Sequence, residues 1–190
     1  GITGQDGSYL AELLLAKGYE VYGTTRRPAA EKFDRIQHIM NRVTLLQADL
    51  TDQLSLDEAV KRTQPGEVYN LASQSFDPNT WDEPILTANV TGVGVARVLE
   101  AIRRHKSDAK FYQASSSEMY GKASESPQTE KTPFHPRSPY GVAKVYAHHL
   151  TVYYREAYGM FACSGISFNH ESPRRRPVFV TRKISYGVAQ

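Results

Sequence analysis

The stretch "GITGQDGSYLAELLLAKGYEVYGTT" (residues 1–25) decides the fold. Gly1, Gly4 and Gly7 run directly into an apolar-periodic helix, "YLAELLLAKG", and that helix leads into the strand pattern "EVYGTT". Glycines so spaced let a backbone turn tightly and approach a pyrophosphate, whose charge rests on the helix N-terminus. Gly1, Gly4, Gln5, Asp6 and Gly7 are therefore the first candidate cofactor contacts. The spacing departs from the G-x-G-x-x-G of ordinary dehydrogenases, so the match to that fingerprint is partial. The strand that opens such a unit is expected before Gly1, and the chain reads as a fragment of a longer protein.

Outward from this turn, apolar runs and helical patterns alternate. Strands are expected at 20–25, 43–49, 67–73, 110–116 and 160–168, rich in Val, Tyr and Phe. Helices are expected at 9–18, 34–40, 55–63, 85–106 and 140–159. Near-continuous apolar strands separated by helices predict an α/β fold, a doubly wound parallel sheet of Rossmann type, covered on both faces. No repeat or linker divides residues 1–190, which read as one nucleotide-binding domain with a substrate-binding portion starting near residue 169. The polar segment 121–139 carries Pro127, Pro133, Pro136 and Pro139 and predicts a long loop, in the role of a lid.

Composition narrows the class further. Of 190 residues, 40% are hydrophobic and 23% charged, the balance of an ordinary globular domain. A net charge of +3 suits an anionic small ligand and makes no case for nucleic acid. No uninterrupted apolar run has the length of a membrane span. The single cysteine, Cys163, excludes an internal disulfide, reads as a buried structural thiol and fits a reducing cytoplasm. His135, His148 and His149 lack metal-ligand spacing, so no metal is expected.

Two positions bear on the cofactor. After the second predicted segment an acidic residue would mark NAD, but "TTRRPAA" puts Arg26 and Arg27 there. Guanidinium groups suit a 2′-phosphate, so NADP is expected. Asp49 and Leu50, at the end of the next strand, are candidate adenine contacts, although Asp49 serves equally well in turn or helix-cap chemistry.

The chemistry centres on "SPYGVAK" (138–144). Ser138 suits an N-cap and Pro139 the first helical position, which puts Tyr140 in the first turn and Lys144 on the same face. A tyrosine with its ordinary pKa of about 10 is a poor base near neutrality; moving it to about 7 takes roughly 4 kcal/mol. An ammonium about 4 Å away at an effective dielectric near 20 supplies about that much. With the glycine-rich turn and the hydroxyl-rich strand end "ASSSEMYG" (114–121), this order of motifs resembles the extended short-chain dehydrogenase/reductases. That resemblance implies that Ser116 hydrogen-bonds the reacting sugar hydroxyl, Tyr140 moves its proton and Lys144 holds the nicotinamide ribose.

Glu118 refines the reading. Oxidation at a sugar C4 acidifies the C5 proton, and a carboxylate two residues beyond Ser116 is placed to remove it so that the C6 hydroxyl leaves as water. Similar epimerases carry a non-acidic residue there, and dTDP-glucose dehydratases an Asp-Glu pair. "SSSE" resembles the "STSE" of the GDP-mannose 4,6-dehydratase family, with serine for threonine and the hydroxyl kept. "EVYNLASQS", "PFHPRSPYGVAK", "FNHESPRR" and "FVTRKI" resemble the same family. The resemblance implies a GDP-mannose substrate and NADP. It places Leu71, Ala72, Gln74 and Ser75 along the cofactor and substrate cleft, Asn169 near the sugar nucleotide, and His170 and Arg175 near NADP. It also implies a homodimer or homotetramer, with "RRPAAEKFDRIQHI" (26–39) similar to an interface loop that bridges the cofactor. The rival readings are an epimerase or NADP-linked reductase, which Glu118 opposes, and a non-catalytic NADP sensor, which Ser116, Tyr140 and Lys144 oppose.

Overall fold

In the computed structural model, residues 1–26, 33–74 and 81–190 are described. Among the described residues five strands form, all in parallel pairs. β1 (Val21–Thr25) pairs with β2 (Val43–Gln47), and β4 (Lys110–Ser116) lies between β3 (Glu67–Asn70) and β5 (Ala162–Ser167). Residues 1 and 2 sit between the two ladders. The Gly1 backbone is packed against Leu71 and Ala72 beyond β3, and the Ile2 side chain lies against Gly23 of β1. The glycine turn thus occupies the crevice between the two parallel ladders, the expected location for a nucleotide.

Helices cover the sheet in two sets. α1 (Gln5–Ala16) and a 3-10 helix (Gln37–Arg42) pack with Ile2, Val21, Ile36 and Ile39 into one core. α2 (Gln53–Thr63), α4 (Gly94–His105) and α5 (Pro139–Tyr158) enclose a second with Leu99, Ile102 and Phe111, all nearly inaccessible. Alternation along β2 puts these cores on opposite faces, because Val43 and Leu45 pack on the first while Ala48, of opposite parity, packs on the second. The expected doubly wound arrangement is present.

Local chemistry explains the helix ends. Asp52 caps α2 by accepting from Leu54 N at 3.0 Å, and Ser138 caps α5 by accepting from Gly141 N at 3.0 Å, contacts each worth about 1 kcal/mol. α3 (Pro84–Thr87) continues through a π-helical turn, Ala88–Val93, into α4. The expected single helix over 85–106 is therefore widened in its middle, and Thr91 Oγ1 in that turn accepts the Gln74 amide at 3.1 Å. Pro84–His105 is 22 residues long and apolar enough by composition to cross a membrane, which the reading of uninterrupted apolar runs did not register. More than half of its most apolar stretch is buried inside the protein, as in a core helix.

Two other expectations change. The 34–40 segment forms the 3-10 helix and turns rather than an α-helix. Cys163 is exposed, because it points away from the face that its neighbour Ala162 buries under α5. Residues 121–137, expected as a long loop, do not line the cleft. They close on themselves, with Lys122 N donating to His135 O (3.0 Å), His135 N to Met119 O (3.1 Å) and the Tyr120 hydroxyl to Thr129 O (2.9 Å). Phe134 fastens this loop to α5 through the His148 and His149 rings. A further helix, α6 (Val180–Ala189), ends the chain with no buried residue.

Candidate active site

A cleft of about 1670 Å³ crosses the C-terminal edge of both ladders. Every described residue of the sequence-predicted site lines it except Asp49. Asp49 Oδ1 accepts from both Thr51 N and Thr51 Oγ1 at 2.8 Å, the turn chemistry that was its alternative reading. Its neighbour Leu50 does reach the cleft. Arg27 and Ser75 lie outside the described residues.

At one end the glycine turn opens α1. A Cβ on Gly7 would lie 2.1 Å from the Gly1 carbonyl oxygen, so no side chain fits there. Gly4, the N-cap, offers no side-chain cap to the first amides of α1, which leaves a helix N-terminus suited to a phosphate. These features fit a dinucleotide. Asp6, one residue beyond Gln5, ties the turn to the segment after β5. Its Oδ1 lies 2.7 Å from His170 Nε2, while His170 Nδ1 lies 2.7 Å from Phe168 O. Both ring nitrogens face acceptors, and these two contacts hold the His170 pKa above its ordinary value, the backbone one contributing more.

At the other end, four side chains converge from β4 and α5. Ser116 Oγ accepts from Glu118 N at 3.2 Å, which directs the serine proton toward the cleft, where the hydroxyl meets the Tyr140 phenol. Burial pushes the Tyr140 phenol above its usual pKa, opposed by its contacts with the Ser116 and Ser73 hydroxyls. Lys144 is 3% exposed and donates from Nζ to Ala114 O at 2.6 Å; burial alone lowers its pKa to about 8. Nζ stands 5.4 Å from the centre of the Tyr140 ring. One ammonium proton is thus taken by a strand carbonyl, while the group stays beside the Tyr140 ring on the shared face of α5.

Sequence reasoning passed over several residues. Ser73 touches the Tyr140 phenol, and its signal was available in "LASQS". Arg35 lines the cleft beside Arg26; it donates from Nε to Arg174 O (2.9 Å) and from Nη1 to Thr3 O (3.3 Å). Arg174 in turn reaches Ser8 Oγ (3.0 Å) and Glu12, and lies over the Tyr9 ring. "SPRRRP", read as a basic turn but for the resemblance, is therefore a strap from β5 back to α1. Among the described residues no cluster of His, Cys, Asp and Glu is arranged to hold a metal ion.

A doubly wound sheet with a glycine turn at its crevice, a serine at a strand end and a Tyr-x-x-x-Lys helix beside it defines an extended short-chain dehydrogenase/reductase. DesIV, a dTDP-glucose 4,6-dehydratase from Streptomyces venezuelae solved with NAD and TYD bound, shares the fold over 100% of this chain and 60% of its own, at TM-score 0.85 and 19% identity. RMD from Pseudomonas aeruginosa, complexed with NADPH, matches over 100% of this chain and 58% of its own, at TM-score 0.78 and 25% identity. The profile of the family described as GDP-mannose 4,6 dehydratase matches residues 1–190, and the chain belongs to that family. The GDP-mannose 4,6-dehydratase of Vibrio cholerae is 52% identical over 198 residues, covering 100% of this chain and 53% of the relative. The chain thus spans about half the length of the curated relatives it matches.

Proposed function

We propose that this chain is the cofactor-binding and catalytic part of an enzyme that converts GDP-mannose to GDP-4-keto-6-deoxymannose with loss of water. The observation that carries the reading is the Glu118 carboxylate, which opens into the same cleft as Ser116, Tyr140 and Lys144. A bound nicotinamide supplies the hydride acceptor for C4 and the donor for C6. Ser116, whose hydroxyl meets the Tyr140 phenol in this structure, turns its proton to the C4 oxygen and orients it. Tyr140 takes the C4 hydroxyl proton as oxidation proceeds. Glu118 removes the C5 proton made acidic by the 4-keto group and passes it to the C6 hydroxyl, which departs as water, and C5 regains a proton from solvent. Lys144, fixed by Ala114 O, presents its remaining ammonium protons to the nicotinamide ribose. Gln74 and Asn169 line the substrate side, with Ser75 assigned there by resemblance.

The proposal includes NADP as cofactor. Arg26 and Arg35 support it by bringing positive charge to the cleft wall beyond β1, where the ribose 2′ position falls. It includes assembly as a homodimer or homotetramer, supported by an exposed stripe of Val142, Tyr146 and Tyr153 on α5, with Val93 exposed on the adjoining π turn. A cytoplasmic setting is supported by the free, exposed Cys163.

The test is incubation of the full-length protein with GDP-mannose and NADP, followed by mass measurement. Loss of one water is expected. An unchanged mass, with or without a change of sugar configuration, would overturn the proposal.

A further inference from the structure

Glu118 is held by two elements. Its backbone belongs to the 3-10 turn Ser117–Met119 that follows β4, but its carboxylate is held from α5. Ser138 Oγ donates to Glu118 Oε2 at 3.3 Å while accepting the Gly141 amide at 3.0 Å. A hydroxyl carries a single proton. With the amide of Gly141 directed at its oxygen, that proton is available to the carboxylate. Gly141 sets the spacing, since a Cβ there would lie 2.7 Å from the Glu118 carbonyl oxygen and 3.1 Å from Pro136 Cβ. The first turn of α5 is therefore docked on the Glu118 backbone, with Tyr140 between the two residues that make the contact.

We infer that Ser138 is a positioning residue for Glu118, joining the base that removes the C5 proton to the helix turn that carries Tyr140. The inference rests on the dehydratase reading above. Its logic is geometric. An exposed glutamate has three rotatable side-chain bonds, and productive proton removal needs the carboxylate held near one position. The N-cap serine, a common device for starting a helix, here has a second use because its proton is not consumed by capping. One hydroxyl thereby sets the carboxylate of one catalytic residue relative to the phenol of the other.

Capping and positioning can be separated. Glycine is an acceptable N-cap, only a few tenths of a kcal/mol worse than serine, whereas it removes the hydroxyl proton altogether. Threonine keeps both the cap and the proton. The experiment uses the full-length protein with NADP and GDP-mannose, comparing wild type, Ser138→Gly and Ser138→Thr. Single-turnover nicotinamide absorbance reads C4 oxidation, and deuterium uptake from heavy water reads C5 proton removal. In Ser138→Gly, C5 exchange should slow by about 5- to 10-fold, the scale of one net hydrogen bond, with C4 oxidation and KM nearly unchanged. Ser138→Thr should restore exchange. A second readout needs no turnover: the Glu118 carboxyl carbon resonance, assigned through Glu118→Gln, should move in Ser138→Gly and return in Ser138→Thr. Unchanged exchange in Ser138→Gly, or equal loss of both steps, would reduce Ser138 to a helix cap and overturn the inference. A wild-type protein inert toward GDP-mannose would overturn the dehydratase reading itself, and the role of Ser138 with it; the resonance would still show whether the contact exists.

Discussion

The two ends of the cleft hold their functional groups by different means. At the catalytic end, Ser116, Tyr140 and Lys144 ride on β4 and α5, elements that bury Phe111, Ala143 and Ala147 almost completely. At the cofactor end, Asp6, Glu12 and Arg174 are held by ion pairs that cross from α1 to the strap after β5, and half of the Asp6–His170 pair is open to solvent. The first construction suits proton transfer, where small displacements lose rate. The second suits gripping and releasing a large anion, because exposed ion pairs are individually weak and respond to salt and pH. On this contrast, changes at the catalytic end should alter individual chemical steps, and changes at the cofactor end should alter affinity.

Glu118→Gln gives the largest expected effect. The amide keeps the shape but cannot take a proton, so C5 deuterium exchange should fall by about 10²- to 10⁴-fold. Tyr140 and Lys144 remain, and C4 oxidation read by nicotinamide absorbance should persist. Normal exchange and normal dehydration in this variant would return Glu118 to the status of a loop charge.

The scaffold under the catalytic end can be weakened separately. Glu100 on α4 accepts from Arg103 Nε (2.8 Å), Arg104 Nε (3.1 Å) and the Tyr154 hydroxyl of α5 (2.7 Å). Arg103 above all, then Tyr154, holds its pKa down to about 2. The guanidinium groups are 39% and 49% exposed, so solvent screening reduces the contribution to about 1–2 kcal/mol. A depressed carboxylate contributes stability above its unfolded pKa and loses it as pH falls through the folded value. Urea unfolding of Glu100→Gln should therefore show its full deficit near neutral pH, and wild type and variant should converge between about pH 4.5 and 2. A deficit independent of pH would mean that packing, not charge, joins α4 to α5.

The strand and helix pattern was legible because period-two and helical patterns survive in any context. Tyr140 and Lys144 were legible because four residues along a helix fix a shared face. What escaped depends on contacts distant in sequence. That Lys144 would be drawn to Ala114 O, 30 positions earlier, follows from the depth of the strand end and not from helix spacing. Arg35 and Arg174 are 139 positions apart and become one assembly only through the fold. The 121–137 loop was legible as a loop from its prolines and polarity, but not its closure through Lys122 N to His135 O and the Tyr120 hydroxyl to Thr129 O. Conversely, the glycine turn was readable because the constraint is local, Gly7 against Gly1.

At the cofactor end, replacing Arg26 and Arg27 together with alanine should weaken NADP by about 10-fold while NAD changes little, as expected for loss of charge-assisted contacts to a 2′-phosphate. Binding titrations with the two cofactors, at one fixed salt concentration, provide the measurement. Equal losses would sink the NADP assignment and leave the arginines as a solvated basic turn.

The smallest effect belongs to His170, and its pH dependence runs opposite to that of Glu100. A doubly protonated ring satisfies both Phe168 O and Asp6 Oδ1, and Arg175, which also donates to His170 O at 3.1 Å, opposes that charge. A raised histidine pKa means the ion pair is complete below the ordinary value and is lost as pH rises through the folded one. Because this pair ties the glycine turn to the strap, NADP should dissociate faster as the ring loses its proton, by about 3-fold for an exposed pair of this kind. Stopped-flow release measured from pH 6 to 9 should show that rise in wild type. His170→Gln cannot carry the charge, so its release rate should match the wild-type rate at high pH and stay flat across the range. High salt should blunt the wild-type dependence through screening. A flat wild-type profile, or a sloped one in the Gln variant, would show that the strap is held by the Arg174 contacts with Ser8 and Glu12, and that the Asp6–His170 pair merely accompanies them.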